Sequence, residues 1–81
     1  MEKITIDLAT LHGGSAKLAL KDDYLKAVSA LAGVGNEVII TGAAPVWLYL
    51  WCAHDLHGKA TRLIYQSPAT GDVVIFDHNP Y

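Results

Sequence analysis

Apolar residues recur along this chain in two different periods, and the switches between them mark its elements. Ile4, Ile6 and Leu8 alternate with Lys3, Thr5 and Asp7, a period of two that predicts a half-buried strand. His12-Gly13-Gly14 reads as a turn, because adjacent glycines reach positive φ at little cost. Ala16, Leu18 and Leu20 alternate again, which predicts a second strand closing a β-hairpin. At Asp22 and Asp23 the period changes. Leu25, Val28, Leu31 and Ala32 follow at helical spacing, either aspartate suits the helix start, and Gly33 and Gly35 suit its end. Glu37-Val38-Ile39-Ile40-Thr41 is a short β-branched strand whose continuous apolar centre suits burial on both faces. Gly42-Ala43-Ala44-Pro45 turns into a helix running from about Pro45 to His57, proline being well placed in a first turn. Strands are expected at Thr61–Tyr65 and Val73–Phe76, joined by a turn over Ser67–Gly71.

The order predicted is therefore ββαβαββ over one domain, residues 1–81. It describes an α+β, ferredoxin-like sandwich, a mainly antiparallel sheet with two helices on one face.

Composition narrows the classes. Hydrophobic residues make up 52% of only 81 positions. So small a chain leaves apolar surface uncovered as a monomer, and self-association covers it most simply. A homodimer or larger assembly is expected. Six basic against eight acidic residues give a formal charge of −2, which argues against duplex DNA, whose binding rests on Lys and Arg neutralising phosphates. The single Cys52 has neither a disulfide partner nor a CxxC zinc motif, so a reducing, cytoplasmic setting is expected. The longest apolar run, Gly42 to Ala53, falls short of the roughly 20 residues that span a bilayer. No membrane role is expected, and no signal peptide is read at Met1-Glu2-Lys3.

Three features carry candidate chemistry. Thr41-Gly42-Ala43-Ala44-Pro45 joins a strand to a helix N-terminus, whose free N–H groups suit an anion, although Pro45 removes one donor. His54 and His57 stand three apart near the end of that helix, on one side of it, and suit a shared ion or phosphate. His78 follows the last strand and completes a cluster with His57 if strand and helix end together; His54, His57 and His78 are then the possible metal ligands. Each has a plainer structural reading: a connecting turn, histidines favoured by the helix dipole, a solvated chain end. Trp47, Tyr49 and Trp51 suggest a stacking platform, but their helical spacing fits core or interface contacts better. His12 reads as structural.

Taken together, Thr41-Gly42-x-Ala44-Pro45-Val46-Trp47-Leu48-Tyr49, Ala53-His54-x-Leu56-His57-Gly58 and Val73-Val74-Ile75-x-x-His78 resemble the CRISPR-associated Csx-three family. The resemblance runs from about Val38 to His78. It implies a dimeric ring nuclease of type III CRISPR defence that binds cyclic tetra-adenylate and cuts it to short linear products. Two dimers would sandwich one ring, as a tetramer or filament. The family has also been described as a manganese-dependent RNA 3′-exonuclease, which makes short RNA and manganese the alternative ligand and cofactor; otherwise no cofactor is required.

Carried over by motif, Thr41, Gly42, Ala43 and Ala44 form the ligand-binding segment. His57 and His78 form the catalytic face, His57 as acid–base residue and His78 as helper. The sequence departs from the family at two points. Ala43 stands where an arginine is usual, and Tyr65-Gln66-Ser67-Pro68 stands where a Tyr-Asp-Pro-Arg turn is usual. Gln66 thus occupies the catalytic aspartate's position, with Asp72 or Asp77 as substitutes to be judged by geometry. These losses of charge favour a rival, a module that binds the ring without cutting it.

Overall fold

The computed structural model describes residues 2–12 and 15–78. The first strand forms as the alternation predicts: β1 spans Lys3–Asp7, with Ile6 buried. The chain then departs from the expected hairpin. A four-residue helix, α1, covers Ala9–His12, and a 3-10 turn covers Leu18–Leu20; Gly13 and Gly14 lie outside the described residues. The Ala16–Leu20 stretch contains only Ala, Leu and Lys, good helix formers without a β-branched residue. Its alternation builds no buried face, for Leu18 and Leu20 are exposed and only Ala16 of the three packs on the core.

Helix α2 spans Lys21–Ala32 and buries Tyr24, Val28 and Ala32. Asp22 and Asp23 lie in its first turn rather than at the cap, where they still complement the helix dipole. Gly33 ends it with positive φ, which glycine reaches at little cost. Strand β2, Glu37–Thr41, buries Val38, Ile39 and Ile40. Pro45 is the N-cap of α3, Val46–Leu56, and His57 is its C-cap. Two strands follow, β3 over Arg62–Ser67 and β4 over Gly71–Asp77.

The sheet runs in the order β1-β2-β3-β4. β1 with β2 and β2 with β3 are parallel, and only β3 with β4 is antiparallel. The α+β class and the single sheet match expectation. The ββαβαββ order and the mainly antiparallel pairing do not, because the missing second strand turns each early connection into a crossover between parallel neighbours. What remains of the ferredoxin-like expectation is the packing of helices against one sheet.

One core cluster joins Ile6, Val38, Ile40 and Leu63 of the sheet to Tyr24, Val28 and Ala32 of α2 and Leu48, Cys52 and Leu56 of α3. Alternate strand residues therefore face the helices, and the intervening ones, Thr5, Ile39, Ile64 and Val74, lie on the other face. That face is polar at both ends. Lys3, Glu37, Arg62 and Asp77 are register partners across the four strands at one end. Arg62 donates to Glu37 at 3.0 Å and pairs with Asp77 at 3.6 Å.

The pairing of β3 with β4 holds one irregularity. Leu63 opposes Phe76 and Ile64 opposes Val74, so Ile75 is an extra residue in β4. Such a bulge resets the alternation beyond it. Val73 and Ile75 face the helices before the shift, and Phe76 faces them after it, so Asp77 points to the open face and meets Arg62. His78 returns to the helix side. Its backbone N–H donates to the Thr61 carbonyl at 2.7 Å, extending the ladder past the strand's end.

Candidate functional site

The carboxyl ends of the parallel strands meet at one edge of the sheet, the place where open α/β sheets bind ligands. A cleft of about 650 Å³ opens there, lined by Thr41–Ala44, Val46 and Tyr49 on one side and Tyr65–Pro68 on the other. The four residues assigned to ligand binding thus share a cavity with Gln66. The Thr41 hydroxyl donates to the Gln66 carbonyl at 3.3 Å and ties the two walls together.

The shape of the Gly42 segment has a specific cause. Gly42 adopts φ +103, and a Cβ placed on it would overlap the Asp7 carboxylate. Asp7 Oδ1 is itself fixed by accepting from the Ala9 N–H at 2.9 Å. From the other side, the Tyr49 hydroxyl donates to the Gly42 carbonyl, and its ring packs edge-on against Tyr65 at 5.0 Å. Burial, then the neighbouring Tyr65, Asp7 and Cys52, push the Tyr49 pKa up to about 12. The phenol therefore keeps its proton and remains a donor at neutral pH.

Asp7 and Thr41 are register partners, as are Gln66 and Asp72, and Thr41 and Gln66 follow the paired Ile40 and Tyr65. Asp7, Thr41, Gln66 and Asp72 consequently form one row across all four strands. Of the two substitute carboxylates, Asp72 stands directly across from Gln66. Asp77 opposes Arg62 at the other end of the strand and is engaged there.

His57 and His78 do come together. Their ring centroids are 4.8 Å apart with planes at 80°, and Phe76 packs against both, at 5.0 Å from His57 and 4.9 Å from His78. Both imidazoles are exposed. His54 does not join them: its ring lies 6.1 Å from Trp51, on the outer surface of α3. Among the described residues no three His, Cys, Asp or Glu side chains gather as a metal site, so the proposed His54, His57 and His78 set does not assemble within one chain. Trp51 carries the Lys21 ammonium 3.8 Å from its ring centroid, and Trp47 packs on the core. Neither lines the cleft.

The histidine pair and the cleft lie at opposite ends of α3. Thr41–Ala44 precedes its first turn and His57 caps its last; eleven residues at 1.5 Å each separate them by about 16 Å. One chain therefore carries both sets of site residues but does not join them.

Two contributors escaped the sequence reading. Asp7 is indistinguishable from a strand-end polar residue until β1 is known to run parallel to β2. Tyr49 was legible only as an aromatic at helical spacing, whereas its hydroxyl is what pins the loop.

No curated protein and no solved structure matches the chain. No helix among the described residues is long and apolar enough to cross a membrane. The model of one family, described as CRISPR-associated protein (Cas_csx3), matches residues 15–81. That span contains the cleft segments and both histidines, and it leaves out β1 and Asp7. With this match over most of its length, the chain belongs to the CRISPR-associated Csx-three family.

Proposed function

We propose that this chain is a ring nuclease that binds cyclic tetra-adenylate and opens it, switching off type III CRISPR signalling. The observation that carries the reading is the contact between His57 and His78, two acid–base groups brought together from distant parts of a chain that belongs to this family. Their separation from the cleft by the length of α3 supports a site made by two copies, one offering its cleft and the other its histidines. The uncovered apolar residues Val46, Leu50 and Val73–Ile75 supply surface for such an assembly, a homodimer extending to a tetramer or filament around the ring.

The step needs no metal. A ribose 2′-hydroxyl attacks its own 3′-phosphorus, forming the 2′-O–P bond as the P–O5′ bond breaks. His57 takes the hydroxyl proton, and the leaving 5′-oxygen is protonated by His78 or water. The product is linear, with a 2′,3′-cyclic phosphate and a free 5′-hydroxyl. Alignment and proton transfer are the contributions asked of the protein. Replacing His57 by Ala is expected to lower turnover of labelled cyclic tetra-adenylate by about 10² or more. Unchanged turnover would remove His57 from the chemistry.

A second reading, ring binding without cleavage, is favoured by Ala43 and Gln66, which replace an arginine and a carboxylate. Recovery of intact ring from the complex supports it, and appearance of linear product excludes it. For the manganese-dependent exonuclease alternative, the residues fit poorly. Among the described residues no three His, Cys, Asp or Glu side chains gather, and manganese prefers oxygen donors to the paired imidazoles, so no step is routed through the metal.

A further inference from the structure

The helices pack into one core cluster, which takes Ile6, Val38, Ile40 and Leu63 from the sheet. The opposite face of the sheet is left to the strands alone, and their register sorts it into three rows. The first row, Lys3, Glu37, Arg62 and Asp77, alternates in charge: plus, minus, plus, minus. Such a row is its own complement when its order is reversed. A two-fold axis running along the strands, between two facing sheets, performs that reversal. β1 of one copy then faces β4 of the other, and β2 faces β3. Lys3 meets Asp77 of the partner subunit, and Glu37 meets Arg62 of the partner subunit. With their symmetry mates these make four meetings of opposite charge.

The middle row is apolar apart from the Thr5 hydroxyl. Ile39 and Ile64 are buried yet stand outside the core cluster, and Val74 beside them is 47% exposed. Under the same axis Ile39 meets Ile64 of the partner subunit, and Thr5 meets Val74 of the partner subunit. In the last row Thr41 meets Gln66 of the partner subunit, two groups able to hydrogen-bond. Asp7 and Asp72 of the partner subunit are the one pair of like sign. The Asp7 carboxylate is engaged in its own loop, accepting from the Ala9 N–H at 2.9 Å. An axis across the strands would instead set the first row against the last. Lys3 would then meet Asp7 of the partner subunit, but Asp77 would meet Asp72 of the partner subunit, so attraction and repulsion would balance. The charges select the axis along the strands.

We propose that this open face docks a second copy of the chain, sheet on sheet, with the strands of both copies running the same way. Aligned sheets pack in this manner about 10 Å apart. The proposal names a surface for the homodimer put forward above. It is distinct from the contact between a cleft and another copy's histidines, because both clefts lie at one end of such a pair. Lys3, which completes the row, lies outside the residues matched by the family model, so the pattern is read from this chain alone. Four strands about 4.8 Å apart and five residues of about 3.3 Å each give a face of about 19 by 17 Å. That is small for a specific interface, so a dissociation constant in the micromolar range is expected.

Sedimentation equilibrium of the intact chain, from about 1 to about 500 μM, reads the association. Wild type is expected to be dimeric at the upper end. Lys3→Asp sets a carboxylate against Asp77 of the partner subunit, and Asp77→Lys sets an ammonium against Lys3 of the partner subunit. Each should weaken self-association about tenfold or more. Mixed in equal amounts, the two variants should pair with each other at about wild-type affinity, because both outer meetings are again of opposite charge. Val74→Asp should weaken association as much, with neither charge variant restoring it. All three positions are exposed, and circular dichroism checks that the fold is kept.

A monomer throughout the range, indifference to any of the three substitutions, or charge variants that stay apart when mixed would each overturn the assignment. Mass is read without any ring present, and turnover of labelled ring is a separate measurement. Loss of the nuclease reading therefore leaves the docking face standing, and loss of the docking face leaves the nuclease.

Discussion

Gly42 is held in a conformation that L-residues rarely adopt, between a carboxylate on one side and a phenol on the other. The consequence of that arrangement is measurable at Tyr49. In the unfolded chain its phenol titrates near 10, and in the folded chain near 12. The native state thus holds this proton more tightly. The corresponding stability is fully present below pH 10 and is lost as pH rises through about 12. Of the four tyrosines, one should give a late phenolate absorbance step near pH 12, and Tyr49→Phe should remove it. If all phenols ionise together near their ordinary value, Tyr49 is not buried in solution beside Tyr65 and Asp7 as it is here. At this scale the sequence revealed types better than pairings. Thr41, Gly42 and Gln66 were nameable from motif, but Asp7 became visible only when the fold brought β1 beside β2.

Among the elements, the central strand and the two long helices were legible because each signal was redundant. In β2, β-branched residues form the whole core of the segment; in α3, proline, apolar spacing and a following glycine agree. The 16–20 stretch had one signal only, alternation, and the helix-forming composition of Ala, Leu and Lys prevailed. The bulge at Ile75 had no sequence signal, yet it decides the candidate site. If β4 ran through Ile75 without a bulge, plain alternation would turn Phe76 and His78 to the open face, away from His57. Inserting one alanine between Phe76 and Asp77 is therefore expected to turn His78 away from His57 and abolish ring turnover while the β3–β4 pairing persists. Hydrogen exchange on the β3 amides checks the pairing, and labelled ring checks the turnover. Retained turnover in a folded insertion variant would show that His78 is dispensable.

For the whole molecule, the separation of cleft and histidines makes activity a property of copies rather than of a copy. Ala43→Trp fills the cleft from an exposed position, and His57→Ala removes the acid–base group. Each variant alone should be inactive. Mixed in equal amounts they should regain about a quarter of wild-type turnover, since one contact in four then joins an intact cleft to an intact histidine end. No recovery would place both halves in the same chain's site. The opposed ends of α3 also give the molecule a direction, like a link with a hook at one end and an eye at the other. Laid antiparallel about a two-fold axis, two links close both fastenings at once. Joined in file, a row always leaves one hook and one eye unused, and only a closed circle uses them all. How many rings are bound per chain therefore tells a closed assembly, which leaves no fastening empty, from an open row.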